Sequence, residues 1–363
     1  MTILFRYIFR EYAKIFGMCF SGLVTIYLVI DFFEKVRRFL RYDSGIVPIL
    51  LYFALKIPFI SFQVAPFAVL VATLLTLGLF TRSNEITAMR SCGISLLWVT
   101  SPFLLFAVGV SGILFLFSST VIPLASEKAE EIRVIQIEQK PAPVTVKTAQ
   151  PWARISADGL MEVNEIDVAG KTLRGVRIFY FQPPFRLNRI TEADEARYTP
   201  EGWILLNGNH RRFQSDDTVE LTLFTEQILT IPLIPDDFSS SLVGNSETMT
   251  FQEIRNYLSR FRHEGFRFSR LLTDYYGRVA FPLVTVVMVL VGIALSLRRS
   301  GVRGGNMAMG IGQAFIVGFC YWTTHSVAIA LGRGGALAPM LAGWMANALF
   351  LSFGLYLLLK VRH

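Results

Sequence analysis

Charge is scarce in this sequence. Only 17% of its 363 residues are Asp, Glu, Lys or Arg, while 53% are hydrophobic; an average soluble domain is about 25% charged. Cysteine is scarcer still. Cys19, Cys92 and Cys320 are the only three, each in or beside an apolar run, so no disulfide framework or CxxC metal site can be built from them. The four histidines form no HExxH, and no GxSxG occurs, which removes the common metal-hydrolase and nucleophile-elbow patterns. No GxxxxGK[ST] loop occurs either, since the glycine run Gly301–Gly312 contains no lysine. No catalytic residue, metal site, cofactor or nucleic-acid partner is therefore expected, and any ATP would be hydrolysed by another subunit.

What is present is apolar length. Membrane helices need about 20 residues with few charges, and six runs qualify: Tyr12–Phe33, Ile57–Phe80, Ile94–Leu124, Val279–Leu297, Asn306–Leu331 and Ala336–Leu359. The opening MTILFRYIFREYAK is followed by no small-residue cleavage site, so the first run is expected to stay. With the N-terminus inside, cytoplasmic segments collect ten Lys and Arg against five in the short outer loops. That bias predicts both termini inside and the large middle region outside.

The middle region reads differently. ARISADG, LMEVNEIDVAG, LRGVRIFYFQPP, RLNRITEADEARYTPEG, WILLNGNHRRF and TVELTLFTEQILTIPL are short strand-like runs punctuated by turn residues, the pattern of an all-β sandwich or jelly roll. Its expected core includes Val163, Ile166, Val176, Ile178, Tyr180, Ile190, Ala196, Trp203, Leu205, Leu221 and Leu223. The fold class is thus an α-helical polytopic membrane protein, three spans plus three, with an inserted jelly-roll-like β domain. The expected divisions are 1–124 for spans one to three, including a cytoplasmic helix over 82–93, then 125–248 for the β domain. A connecting helix over 249–274 and the last three spans over 275–363 complete the chain. Thr250 and Glu253 form the capping box of the connecting helix.

Three stretches stand out. In TRSNEITAMRSCGIS (81–95), Ser83 is a plausible N-cap and Gly93 supplies a helix stop. Glu85, Ala88, Met89 and Cys92 then form one stripe, suited to a groove on another protein or to an ordinary tight loop. In FEKVRRFLRY (33–42), Lys35, Arg37, Arg38 and Arg41 sit at the outer end of the first span, against the usual charge bias. Cations among Phe33, Phe39 and Leu40 match an amphiphile with an anionic head, or simply anchor the helix to phospholipid. In the fifth span, Ala308, Gly310, Gly312, Ala314 and Gly318 give small-residue spacing for close packing or for a helix that parts from its neighbour as a gate.

The stretch 81–95 resembles the coupling helix of the LptF/LptG lipopolysaccharide-export permeases, whose pattern is roughly S-E-[IL]-x-x-M-x-x-x-G. Glu85, Ile86, Met89 and Gly93 match, and Asn84 replaces the usual serine. RYIFRE (6–11), the three-plus-three spans and the β insertion extend the resemblance over the whole chain. IDFFEKVRRF and APMLAGWMANALFL look more like the LptG paralogue than LptF. The resemblance implies a bacterial inner-membrane permease that extracts lipopolysaccharide from the outer leaflet. Its partners would be two copies of an LptB-type ATPase, an LptF-type sister permease, an LptC-type single-span protein and an LptA-type periplasmic bridge. By position, Glu85, Ile86 and Met89 would couple to the ATPase. Lys35, Arg37, Arg38, Arg41 and Arg133 would meet substrate phosphates. Asp31 is a departure, standing where some members have a lysine. Another ABC-type lipid or lipoprotein exporter, a membrane enzyme and a non-transporting scaffold are the other classes; the first would lack the outer basic cluster, and the second would need a catalytic constellation.

Overall fold

The computed structural model describes residues 2–42, 45–139, 152–156, 158–167, 171–182, 186–199, 202–213, 218–229, 231, 251–252, 254–256, 269–299 and 307–360. Thr250, Glu253 and the glycines at 301, 304 and 305 lie outside these residues, as do the side chains of Ile166 and Ala308. Two compact units emerge, one made of Met1–Arg133 with Ser269–His363, the other of Val134–Phe268.

The first unit is helical. In chain order it contains α1 (Thr2–Phe39), a 3-10 turn (Leu40–Tyr42), α2 (Ile46–Arg82), α3 (Glu85–Ser91), α4 (Leu96–Leu116) and α5 (Ile122–Glu131). After the β insertion come α6 (Ser269–Ala280), a 3-10 turn (Phe281–Leu283), α7 (Val284–Arg299), α8 (Met307–Arg333) and α9 (Pro339–Leu359). A π-helical segment, Phe117–Val121, joins α4 to α5, and a second, Ile132–Ile137, follows α5. Among the described residues, six helical stretches are long and apolar enough to cross a membrane: Ile3–Phe39, Ile46–Arg82, Trp98–Ile137, Ser269–Leu297, Gly310–Arg333 and Pro339–Leu359. The protein is a polytopic membrane protein with six candidate spans, as its apolar runs predict.

Of these spans α2 is the most enclosed and α1 the least. The α2 residues Val69, Ala72, Leu77 and Phe80 share a cluster with Ile8 and Tyr12 of α1, Phe103 of α4 and Val289 of α7. Tyr12, fully buried, bonds Thr73 Oγ1 at 3.1 Å, because a phenol in an apolar bundle must find a partner. Pro58 and Pro66 lie inside α2 without ending it; membrane helices tolerate proline where neighbours supply packing. The break at Pro282 is stitched across helices. Asn347 Nδ2 donates to the Ala280 carbonyl at 2.7 Å, Tyr321 donates to Asn347 Oδ1 at 2.8 Å, and Thr285 reaches the Ala107 carbonyl of α4 at 3.2 Å besides its local bond to the Pro282 carbonyl.

Among its described residues the second unit carries one antiparallel sheet: β1 (Trp152–Ser156), β2 (Gly159–Asp167), β3 (Thr172–Gln182), β4 (Arg186–Thr199), β5 (Gly202–Phe213) and β6 (Val219–Leu229). Each strand pairs with its chain neighbours, so the described strands form a meander, and no Greek-key crossover occurs among them. Connections of two to five residues explain this, since hairpins place successive strands side by side. Val163, Val176, Ile178, Ala196, Trp203 and Leu205 are buried together as the alternation predicts, while Tyr180 and Ile190 are half-buried. Leu221 and Leu223 are exposed instead. They pair with Arg211 and Asn209 on the polar face, and Phe224 points to the core from opposite Gly208. A Cβ on Gly208 would lie 2.3 Å from both the Glu192 carbonyl and the Phe224 ring, so glycine is what admits that ring.

Two tests follow from this packing. Asn347→Leu strands the Ala280 carbonyl and the Tyr321 hydroxyl, and should destabilise the bundle by about 1–3 kcal/mol, with Tyr321→Phe milder; thermal unfolding in detergent reads both. His210 is bonded to Thr191 Oγ1 at 2.8 Å and packs tilted against Phe224, with ring centroids 4.7 Å apart. Burial pushes its pKa below the usual histidine value; the Gln227 carboxamide opposes this, and the Arg189 and Arg212 charges add to it. The unfolded chain therefore takes up the proton first as pH falls. The stability contributed by neutral His210 is complete above about pH 6.5 and declines below it. Protection factors of β5 and β6 in the full chain, taken against the intrinsic exchange rate at each pH, should fall between pH 7.5 and 5.5, and less so in His210→Gln.

Candidate functional site

Two polar regions lie at the ends of α2. At its start, Asp31 of α1 is buried among two lysines. Lys35 Nζ lies 2.5 Å from Asp31 Oδ1, and Lys56 Nζ lies 3.1 Å from Oδ2. A carboxylate at 8% exposure is tolerable only when paired. Lys56 also sits 5.5 Å over the Tyr52 ring, and Tyr52 packs edge-on against Phe39. The charges of Lys35, Asp31, Arg133 and Glu130 all reach Tyr52, so the structure brings Arg133 to this group although nearly a hundred residues separate it from Lys35. Arg133 pairs with Glu130 and keeps its Nε buried with no hydrogen-bond partner among the described residues.

The five cations singled out in the sequence are therefore not equivalent. Lys35 is engaged by Asp31, and Arg133 by Glu130. Arg37, Arg38 and Arg41 are exposed, and no carboxylate meets them among the described residues. Lys56 and Tyr52 escaped the sequence reading of this site, and Asp31 entered it only as a departure from a family lysine. The Asp31–Lys35 spacing of four in an apolar helix was the available signal; Lys56 joins only through the tertiary fold.

At the other end of α2, the short helix α3 is set by its caps. Asn84 precedes it with φ of 60°, the left-handed turn that bends the chain out of α2. It is the N-cap in place of the expected Ser83, which closes α2 and donates to Glu85 Oε1 at 2.8 Å. Gly93, φ 79°, ends α3 in a Schellman arrangement: its N–H reaches the Arg90 carbonyl at 2.9 Å, and Ile94 N–H reaches the Met89 carbonyl at 3.1 Å. The helix runs for seven residues rather than the ten or so expected.

Its faces are also divided differently. Ile86 and Met89 are buried in the cluster with Ile8, Tyr12 and Phe80, because the apolar pair faces the adjoining bundle. Thr87, Ala88, Arg90, Ser91 and Cys92 are exposed. The stripe of Glu85, Ala88, Met89 and Cys92 is thus split, with Met89 turned inward. Glu85 is half-buried and accepts a 3.1 Å hydrogen bond from Tyr7, whose ring stacks on Phe80.

The small-residue helix α8 is likewise uneven. Ala314 is buried against Leu70, Val284 and Tyr321, and a Cβ on Gly318 would strike Phe67 at 2.5 Å. Gly310 and Gly312 border open space within 4 Å. Close packing against α2 therefore belongs to Ala314 and Gly318. His325 stacks on Tyr321 at 5.9 Å, and its Nδ1 is buried without a hydrogen-bond partner among the described residues.

The family model described as lipopolysaccharide export system permease LptF/LptG matches residues 6–360. No curated protein matches the chain.

The burial of Met89 separates its role from that of Glu85. Met89→Ala should lower the unfolding temperature through a packing loss of about 2–5 kcal/mol. Glu85→Gln should leave the unfolding temperature within about a degree of the parent, since an exposed hydrogen bond contributes little. Thermal unfolding of the two purified variants checks the difference.

Proposed function

Because the chain belongs to the LptF/LptG family of lipopolysaccharide export permeases, we propose that this multi-pass inner-membrane protein extracts lipopolysaccharide from the outer leaflet and hands it to a periplasmic β-fold bridge. A separate cytoplasmic ATPase of the LptB type powers the step, and an LptF-type sister permease and an LptC-type single-span protein complete the assembly. Within that reading the chain is the LptG-type subunit, with both termini cytoplasmic and the β unit periplasmic.

The observation that supports the substrate assignment is the set of exposed arginines, Arg37, Arg38 and Arg41, at the end of a membrane-length helix. Arginine binds phosphate bidentately, and the helix interior beside it is apolar enough for acyl chains. Arg133, close to Tyr52, extends the basic region from a different helix. On the cytoplasmic side the exposed face of α3, with Glu85 at its start, is the docking element for the ATPase. Energy reaches the bundle because Ile86 and Met89 are packed into it, so a shift of α3 repacks α1 and α2. In α8, Gly310 and Gly312 leave room for a neighbouring helix to approach and part, the role of a gate with Ala308 and Ala314 on the same segment.

The combined variant Arg37→Ala/Arg38→Ala should lower photocrosslinking to lipopolysaccharide at the outer end of α1 by about tenfold or more, the loss expected for two charge-assisted contacts. Undiminished crosslinking in a normally expressed variant would remove the substrate assignment.

A further inference from the structure

We propose that Tyr7, in the second turn of α1, is a positioning residue: its hydroxyl aims the Glu85 carboxylate at a cationic group of the docked ATPase. This rests on the reading of α3 as the docking element. Both Glu85 oxygens are held, and both by neutral groups: Tyr7 donates to Oε2 at 3.1 Å and Ser83 to Oε1 at 2.8 Å. Arg6 and Arg10 flank Tyr7 on α1, and Arg82 and Arg90 flank Glu85; all four are exposed. None of them pairs with Glu85 among the described residues. A neutral donor fixes the direction of a carboxylate without cancelling its charge, and each oxygen keeps a lone pair for a charge-assisted partner. Asp31, held by two lysines of its own bundle, shows the opposite arrangement.

The two donors are not equal. Ser83 Oγ also reaches the Leu79 carbonyl at 3.0 Å, so its single proton is shared. The Tyr7 hydroxyl has Glu85 alone among the described residues. Its ring is fixed as well, stacked on Phe80 with centroids 6.0 Å apart. The next residue, Ile8, is fully buried in the cluster that holds Ile86 and Met89. The start of α1 therefore grips α3 by an apolar contact and by one directed bond, and it belongs to the docking surface. While water covers that bond it adds little to stability. Under a docked partner water is excluded, and the direction of the carboxylate decides whether the charge-assisted contact forms.

The test uses the full chain, assembled with its sister permease in nanodiscs and titrated with the purified ATPase. Tyr7→Phe removes one oxygen and keeps the ring, so it should unfold within about a degree of the parent. It should bind the ATPase about tenfold more weakly, the scale of one charge-assisted hydrogen bond. Glu85→Gln should weaken binding at least as much, and adding Tyr7→Phe to it should cost nothing further. The salt dependence of binding should flatten in both single variants, which a merely structural hydroxyl would leave unchanged. Ser83→Ala should lose less than Tyr7→Phe. If Glu85→Gln binds the ATPase as tightly as the parent, the docking reading and this inference fall together. Given a weakened Glu85→Gln, any of four results for Tyr7→Phe would overturn this inference alone. These are parental affinity, parental salt dependence, an equal loss on top of Glu85→Gln, and an unfolding temperature several degrees below the parent.

Discussion

The helical unit is organised by the enclosure of α2. At about 1.5 Å per residue its 37 residues span about 55 Å, well beyond the roughly 30 Å of a bilayer's hydrocarbon. Its middle is packed by α1, α7 and α8, and both of its ends project into the polar regions described above. Tyr52 and Lys56 belong to one, Phe80 and Ser83 to the other. A helix so tightly held cannot tilt without moving its neighbours, so the basic region and α3 share one mechanical element even though no side chain connects them directly.

Electrostatics divides the cations by cost. Lysines drawn below the surface are paired, because an unpaired ammonium there would sacrifice its hydration. The arginines beyond them remain in contact with solvent, where a weakly hydrated guanidinium is available to a ligand. Asp31 marks the border between the two sets. The same logic runs through the other half of the unit, where Asp274 is nearly buried and takes a 2.7 Å contact from Arg333.

Sequence pattern made the large features legible and left the small ones undecided. Six charge-poor runs became six helical spans because the bilayer demands length and little else. Period-two alternation located every described strand and placed Val163, Val176, Trp203 and Leu205 inside. It failed at Leu221 and Leu223 because alternation does not say which parity faces the core; the choice rests on Phe224 fitting over Gly208. Gly93 was readable because the Schellman turn needs a positive φ. The inward turn of Met89 was not, since a seven-residue helix offers too few positions to fix its azimuth, and the neighbouring cluster decides it. Nothing local to Lys56 marks its pairing; its partner Asp31 lies 25 residues earlier on another helix, a distance that no local pattern spans.

The π-helical segment Phe117–Val121 has a geometric consequence of its own. Each residue of an α-helix advances the azimuth by about 100°, and a π turn stores one residue more than the α-helical count. The third span thus uses chain length as an angular setting: the surplus residue determines the direction in which everything beyond it faces. With one residue fewer between Leu116 and Ile122, Glu130 and Arg133 would swing about a quarter of a turn around the axis, and the guanidinium that now lies near Tyr52 would point elsewhere while every helix kept its sequence.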